Sequence, residues 1–355
     1  MNPRILQDIP RTLAFFLQGR NIEGMFQLWT AIFNDIHLTD ENADRLKTLL
    51  RMHATNSMNR VVHMGHSYAM GSSAASLRPG AAAREAYGGL VGLRRLQEMA
   101  KMEDVAPLLE KMRALSRVAL TKQRMRVALN ATEDLEAGLL TSTARFIDSV
   151  AGEPSSLEVS QKEFAPADRK QFFATPFPVN YCSTSVPIVP YTHEDFPALR
   201  ILARLLSKQF LHQEIREKGG AYGGGATAGS SGTFSFYSYR DPNSAKTLET
   251  FDRSAEWVRQ ATITQQDMDE AKLGVFQQVD APTPAGSRGL REFLANVDDD
   301  TFEDHRRRLK ETTADDVKRV AEKYLNNSSA PRGMTVIGPA DKKEVDDSWT
   351  VQELV

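Results

Sequence analysis

Arg216 and Tyr222, six residues apart, stand on either side of the break in a glycine-rich run, Gly219-Gly-Ala-Tyr-Gly-Gly-Gly225. A helix that stops at the first glycine pair, followed by a strand, turns both side chains into the same space. A guanidinium there binds peptide carbonyls or carboxylates, and a phenol donates to an oxygen that is gaining negative charge. Five glycines in seven residues exceed what one helix-to-strand connection needs. Close approach of another backbone is therefore expected, with Gly220 and Gly223 as the contact positions. Such a strand accepts an extended peptide along its edge. Phosphate is a poor fit, because phosphate loops run from strand to helix and no Gly-Lys-Ser/Thr follows. Each residue also has a plainer reading: an arginine satisfying terminal helix carbonyls, and a strand tyrosine that packs.

The other reactive side chains are dispersed. His63 and His66 have helix-compatible spacing, but an inverted zinc motif, H-x-x-E-H, needs Glu at 66 and His at 67, where the chain has His66 and Ser67. His193-Glu194 opens an H-E-x-x-H pattern that fails at Pro197. Zinc requires three protein ligands in fixed geometry, so no metal site is expected and His63 and His66 read as surface or capping residues. The single cysteine, Cys182, excludes an internal disulfide and reads as a buried thiol. The acidic run Asp298-Asp-Asp300 leads into a helix N-terminus, and Arg306-Arg-Arg308 reads as a solvated face.

The elements that must position these residues follow from periodicity. A strand is expected over 11–19, then a helix with Met25, Phe26, Trp29, Ile32 and Phe33 on one face. Thr39-Asp40 opens a second helix that buries Leu46, Leu49 and Leu50. Ser72 to Gly80 reads as a loop, with helices from about 82 to 120, a short strand Met125 to Leu129, and a helix from Glu133 to Val150. Further on, Phe172 to Pro190 is extended. Thr192 with Asp195 makes a capping-box-like start to a long helix through Ile215. Two strands flank Gly229-Ser-Ser-Gly232, helices follow near 243–259, 264–279, 287–296 and 313–325, and Met334 to Gly338 closes as a strand.

Of 355 residues, 41% are hydrophobic and 25% charged, enough for two domains with real cores and no membrane-length apolar run. The net charge of −2 argues against a nucleic-acid binder held by bulk positive charge. Residues 1–150 carry a net +4 and residues 151–355 a net −6, which suggests two units. The chain divides into 1–150, a Pro- and Ser-bearing linker over 151–170, and 171–355. Both units end in a helix, a turn and a strand, at 125–131 and 334–340, and the pattern at 11–33 matches that at 233–258. The fold class is thus α+β, with two related units of sheet and covering helices. The first lacks any counterpart to 176–230, as though the chain begins within a domain.

The block Phe210 to Gly225, with Phe236-Tyr-Ser-Tyr-Arg-Asp-Pro-Asn243 and Gln265 to Lys272, closely resembles the C-terminal half of the presequence proteases. These are organellar zinc metallopeptidases of the pitrilysin/insulinase superfamily. Phe177 to Tyr181 and Asp280-Ala-Pro282 fit the same pattern, and Leu38 through Ala131 resembles the associated region that precedes the last domain. The resemblance implies pitrilysin-type domains, with zinc and the general-base Glu in an N-terminal half that is absent from this chain. The C-terminal half supplies an Arg and a Tyr beside the glycines, here Arg216 and Tyr222, for substrate binding and transition-state support. The implied substrates are unfolded peptides, including cleaved targeting sequences. The implied partner is the zinc-bearing half, and the implied compartment is the mitochondrial matrix, with the plastid as the alternative. A non-catalytic structural or peptide-binding subunit of the same fold is the competing class.

Overall fold

The computed structural model describes residues 21–150, 152, 163–340 and 345–354. Its centre is one mixed sheet of six strands. These are β1 (Arg169–Thr175), β2 (Tyr181–Pro187), β3 (Gly223–Gly229), β4 (Thr233–Tyr239), β5 (Gly333–Pro339) and β6 (Thr350–Glu353), in the order β3-β4-β2-β5-β1-β6. β1 runs parallel to both β5 and β6, and the remaining pairs are antiparallel. β3 and β6 are the edges.

Both faces are covered, and the alternation along each strand shows it. Phe172, Cys182 and Val336 point into one core while their neighbours Phe173, Tyr181 and Ile337 point into the other. The larger core is closed by α7 (Phe196–Leu205), whose buried face carries Leu199, Ile201, Leu202 and Leu205, together with α10 (Gln265–Val279) and α13 (Ala314–Leu325). Thr264 and Thr313 start α10 and α13 with reciprocal capping boxes to Asp267 and Asp316. The smaller core is closed from the N-terminal part of the chain by α2 (Ala43–Ala74) and α4 (Leu90–Ala100), through Val61, Ala69, Leu90 and Leu93.

Small residues let α2 lie directly on the sheet. A Cβ at Gly65 would stand 2.5 Å from the Tyr181 ring, and one at Gly333 would stand 1.7 Å from the Ser73 carbonyl oxygen. Hydroxyls fill the seam: Ser73 Oγ lies 3.0 Å from Ser183 Oγ and 2.7 Å from Ser185 Oγ, and Ser72 Oγ donates to Gln171 Oε1 at 3.1 Å. Tyr181 Oη donates to the Val62 carbonyl at 2.6 Å. Met64, two residues on, departs from helical geometry (φ −123°, ψ 22°). A side chain inserted into the helix ladder is a recognised cause of such a kink.

Several sequence expectations change. Ser72 to Ala74 are the last turn of α2 rather than a loop, because the small polar residues serve the close helix–sheet contact. Leu46 and Leu50 are half-buried and Leu49 is exposed. Met125 to Leu129 forms no strand; the segment is held instead by Arg126 donating to the Phe293 carbonyl at 2.9 Å and by Asn130 donating to the Ala285 carbonyl. The strand expected over 11–19 lies outside the described residues. β1 begins at Arg169, inside the interval read as linker, and β6 was not anticipated. The remaining helices are α1 (Ile22–Asn34), α3 (Pro79–Gly88), α5 (Ala106–Ala119), α6 (Glu133–Ser149), α8 (Ala245–Asp252), α9 (Ser254–Gln260), α11 (Leu290–Ala295) and α12 (Asp299–Glu311). α1 packs on α6 through Phe26, Trp29 and Phe33 around Phe146.

Candidate functional site

The helix that carries Arg216 changes winding before it ends. α7 passes at Leu206 into a π-helix, Leu206–Glu217, with i→i+5 hydrogen bonds, a geometry that recurs at functional sites. The Lys218 amide still bonds the Gln213 carbonyl (3.0 Å), Gly220 bonds Arg216 (3.0 Å) and Ala221 bonds Ile215 (3.1 Å). Gly220 has φ +80°, the left-handed conformation that lets the chain reverse into β3. A Cβ at Gly219 would stand 2.5 Å from the Ile215 carbonyl oxygen, and Asn243 Nδ2 donates to the Gly219 carbonyl at 2.7 Å. The glycine pair therefore ends the helix as expected.

The remaining glycines separate by role. A Cβ at Gly224 would press on Ile215 at 2.9 Å, and one at Gly225 would meet Tyr237 Oη at 2.9 Å and Ser207 Oγ at 3.0 Å. At Gly223 nothing lies within 4 Å. Packing of the chain on itself thus accounts for Gly224 and Gly225 but places no demand on Gly223. β3 pairs with β4 alone, and Ser207 Oγ accepts from the Ala226 amide at 2.8 Å.

Arg216 and Tyr222 are both exposed, Tyr222 at 69%. The Arg216 Nη1 lies 3.1 Å from His212 Nε2, and His212 Nδ1 lies 3.3 Å from Glu217 Oε1. A guanidinium only donates, so Nε2 is the acceptor and the imidazole proton sits on Nδ1, facing Glu217. No carboxylate pairs with Arg216 among the described residues. The Tyr222 amide donates to the carbonyls of Tyr239 (3.1 Å) and Arg240 (3.4 Å), which docks the start of β3 on the end of β4. Sequence reasoning assigned no part to His212, Glu217 or Arg240, although Arg240 lies within a quoted segment. Their signal is geometric and emerges only once β4 and the π-helix converge.

No group of three His, Cys, Asp or Glu side chains suited to a metal is present among the described residues. The chain's own residues therefore do not fit a zinc site, and no step through zinc is assigned to it. His63 is exposed on α2. His66 is a partly buried packing residue rather than a surface one, with ring centroids 5.5 Å from Tyr237 and 5.1 Å from Tyr239; burial lowers its pKa. Cys182 is buried, and burial pushes its thiol well above the ordinary range. Arg306 and Arg307 pair with Asp280, Asp304 and Glu311, as a solvated face should. Thr192 and Asp195 form no capping box. Asp195 is instead the buried acceptor for Arg319 (2.6 Å), Lys323 (2.8 Å) and Tyr324 (2.7 Å), which pins α7 to α13.

Comparison with known proteins is decisive at this point. Residues 170–337 match the family described as PreP C-terminal domain, and residues 13–99 match a second family, described as associated with the same class of peptidase. This chain is a homologue of the C-terminal part of the presequence proteases. It is 40% identical to "Presequence protease, mitochondrial" of Danio rerio, an alignment covering 99% of this chain and 37% of that protein. Against the Saccharomyces cerevisiae protein of the same name the identity is 36%, over 93% of this chain and 34% of the relative. The chain thus spans little more than a third of the relatives' length. Among solved structures, a protease from Helicobacter pylori superimposes with a TM-score of 0.65 at 13% identity, covering 90% of this chain and 77% of that one. Pitrilysin does so at 0.59 and 14%, covering 93% of this chain and 36% of that one. These likenesses show a shared fold.

Proposed function

We propose that this chain is the peptide-binding C-terminal half of a presequence-protease-like zinc metalloendopeptidase of the mitochondrial matrix. It would act on unfolded peptides and cleaved targeting sequences together with a zinc-bearing N-terminal half. One observation carries the reading: the glycine break sets an exposed guanidinium, Arg216, at the helix end and an exposed phenol, Tyr222, at the start of an edge strand. Neither side chain is used up by the fold, and Gly223 leaves the strand backbone open beside them. In this reading Arg216 anchors the peptide, and Tyr222 donates to the scissile carbonyl oxygen as it becomes an oxyanion. We extend the reading to the architecture: residues 1–150 are the remainder of a second, related pitrilysin-type domain and 171–355 the complete one. Support comes from two separate family models matching the two stretches.

The test is steady-state kinetics of the enzyme reassembled with its zinc-bearing half, on an unstructured peptide. Tyr222→Phe keeps the ring and is expected to lower kcat by roughly 10²–10³-fold with little change in KM. Arg216→Ala is expected to raise KM as well, and Arg216→Lys to rescue poorly, because an ammonium cannot reproduce the guanidinium fork. Full kcat in Tyr222→Phe would leave the competing reading, a non-catalytic binding subunit.

A further inference from the structure

Tyr222 is poorly held by packing, being 69% exposed on an edge strand, yet the role proposed for it needs a fixed hydroxyl. Arg240 supplies what packing does not. Its Cζ lies 5.7 Å from the Tyr222 ring centroid and 5.5 Å from that of Tyr239, within the range of cation–π attraction. The same residue takes φ +48°, a left-handed conformation uncommon outside glycine, asparagine and aspartate.

The surroundings impose that conformation. Asp241 exchanges backbone hydrogen bonds with Asn180 at 2.8 Å in both directions. Its buried carboxylate accepts from the Asn243 amide (2.9 Å) and the Thr247 hydroxyl (2.7 Å). Those bonds use the neighbouring carboxylate on the turn itself, and no ion pair engages Arg240 among the described residues. The turn therefore presents a cation, rather than neutralising it, between two tyrosine rings. That cation also stands near the Tyr181 phenol, whose pKa burial raises and Arg240 partly restores.

We infer that Arg240 is a positioning residue for Tyr222, its guanidinium holding the ring so that the hydroxyl faces an incoming peptide carbonyl. The inference rests on the reading of Tyr222 as a donor, and two measurements separate the two ideas. The first is NMR of this chain with ring-labelled tyrosine, the Tyr222 signal identified by its loss in Tyr222→Phe. One dominant χ1 rotamer is expected in the parent chain. Arg240→Asn, which tolerates the left-handed backbone, should average the couplings, and Arg240→Lys should retain most of the preference. Unchanged couplings in Arg240→Asn would overturn the inference.

The second measurement is binding of an unstructured peptide with blocked termini. Arg240→Asn should weaken it by about 2- to 5-fold, the scale of an exposed cation–π contact, and have no effect in the Tyr222→Phe background. Equal weakening in both backgrounds would mean that Arg240 touches the peptide itself, and positioning is wrong. Lost rotamer preference with no binding change in Tyr222→Phe would sink the donor reading of Tyr222 while leaving the positioning contact intact.

Discussion

His305 and Asp195 are both buried on the α7 side of the sheet, and they respond to acid in different pH ranges. His305 stacks on Tyr191 with centroids 4.3 Å apart and lies 3.3 Å from Arg200 Nη1. Burial lowers its pKa from 6.5 to about 4, with Arg200 and Arg308 adding to the drop and Asp304 opposing it. The folded state thus keeps this imidazole neutral where the unfolded chain protonates it. Stability is fully present above pH 6.5 and is lost as the pH falls towards 4. At pH 5 the loss is about 2 kcal/mol from this one group. Urea midpoints at pH 7 and pH 5 should show it, and His305→Gln should remove most of the difference. Asp195 acts lower: burial pushes its carboxyl up, but bonds from Lys323, Tyr324 and Arg319 outweigh that and hold it well below the ordinary range. Its contribution survives until the pH drops below 3.8.

At the scale of elements, the closest fit in the molecule is α2 on β2. Gly65→Ala places a methyl against the Tyr181 ring and strains the Tyr181–Val62 bond beside the kink. A loss of about 1–3 kcal/mol is expected in chemical denaturation, whereas Gly71→Ala, with open space around it, should be neutral or slightly stabilising. This contact also explains what the sequence could and could not disclose. The β3–β4 hairpin was legible because Thr233 to Tyr239 alternates and Gly229 to Gly232 punctuates it. The run Ser72-Ser-Ala-Ala-Ser76 looked like a loop, since small polar residues mark turns as readily as a helix pressed against serines of a sheet. The π-helix left no trace in residue type, because i→i+4 and i→i+5 winding use the same side chains. Met125 to Leu129 alternates over five residues, too few to form a strand without a partner. At the site, Arg216 and Tyr222 were legible from the glycines between them. Arg240 was not, because its left-handed backbone is imposed by Asp241 and Asn180.

Across the whole molecule, order should be graded. β2 is buried at six of its seven positions and lies near the middle of the sheet, whereas α1 has no buried residue. Hydrogen exchange should find amides of β2 and β5 protected to nearly the global unfolding free energy. α1 and its partner α6 should exchange much faster by local opening. Comparable protection in both regions would show that α1 and α6 are bound into the same cooperative unit as the sheet. Most of the large exposed apolar side chains, Leu28, Ile32, Met52 and Leu115 among them, also lie in residues 21–150. The α1–α6 pair, held by rings around Phe146, is thus the least embedded part of the fold.

The hydroxyl seam under α2 has a consequence for biosynthesis. Ser73 finds its partners at Ser183 and Ser185, and its carbonyl faces Gly333. On the ribosome, α2 emerges first, and the strand that completes its docking surface follows some 260 residues later. At roughly 5–20 residues per second that is an interval of about 13–50 s. Throughout it, the face of α2 carrying Val61, Gly65 and Ala69 has no sheet to lie on. Because that face is built of alanine, glycine and serine with few large apolar residues, the waiting helix offers little for other chains to stick to. The composition that permits close packing in the finished molecule also keeps its unfinished form from aggregating.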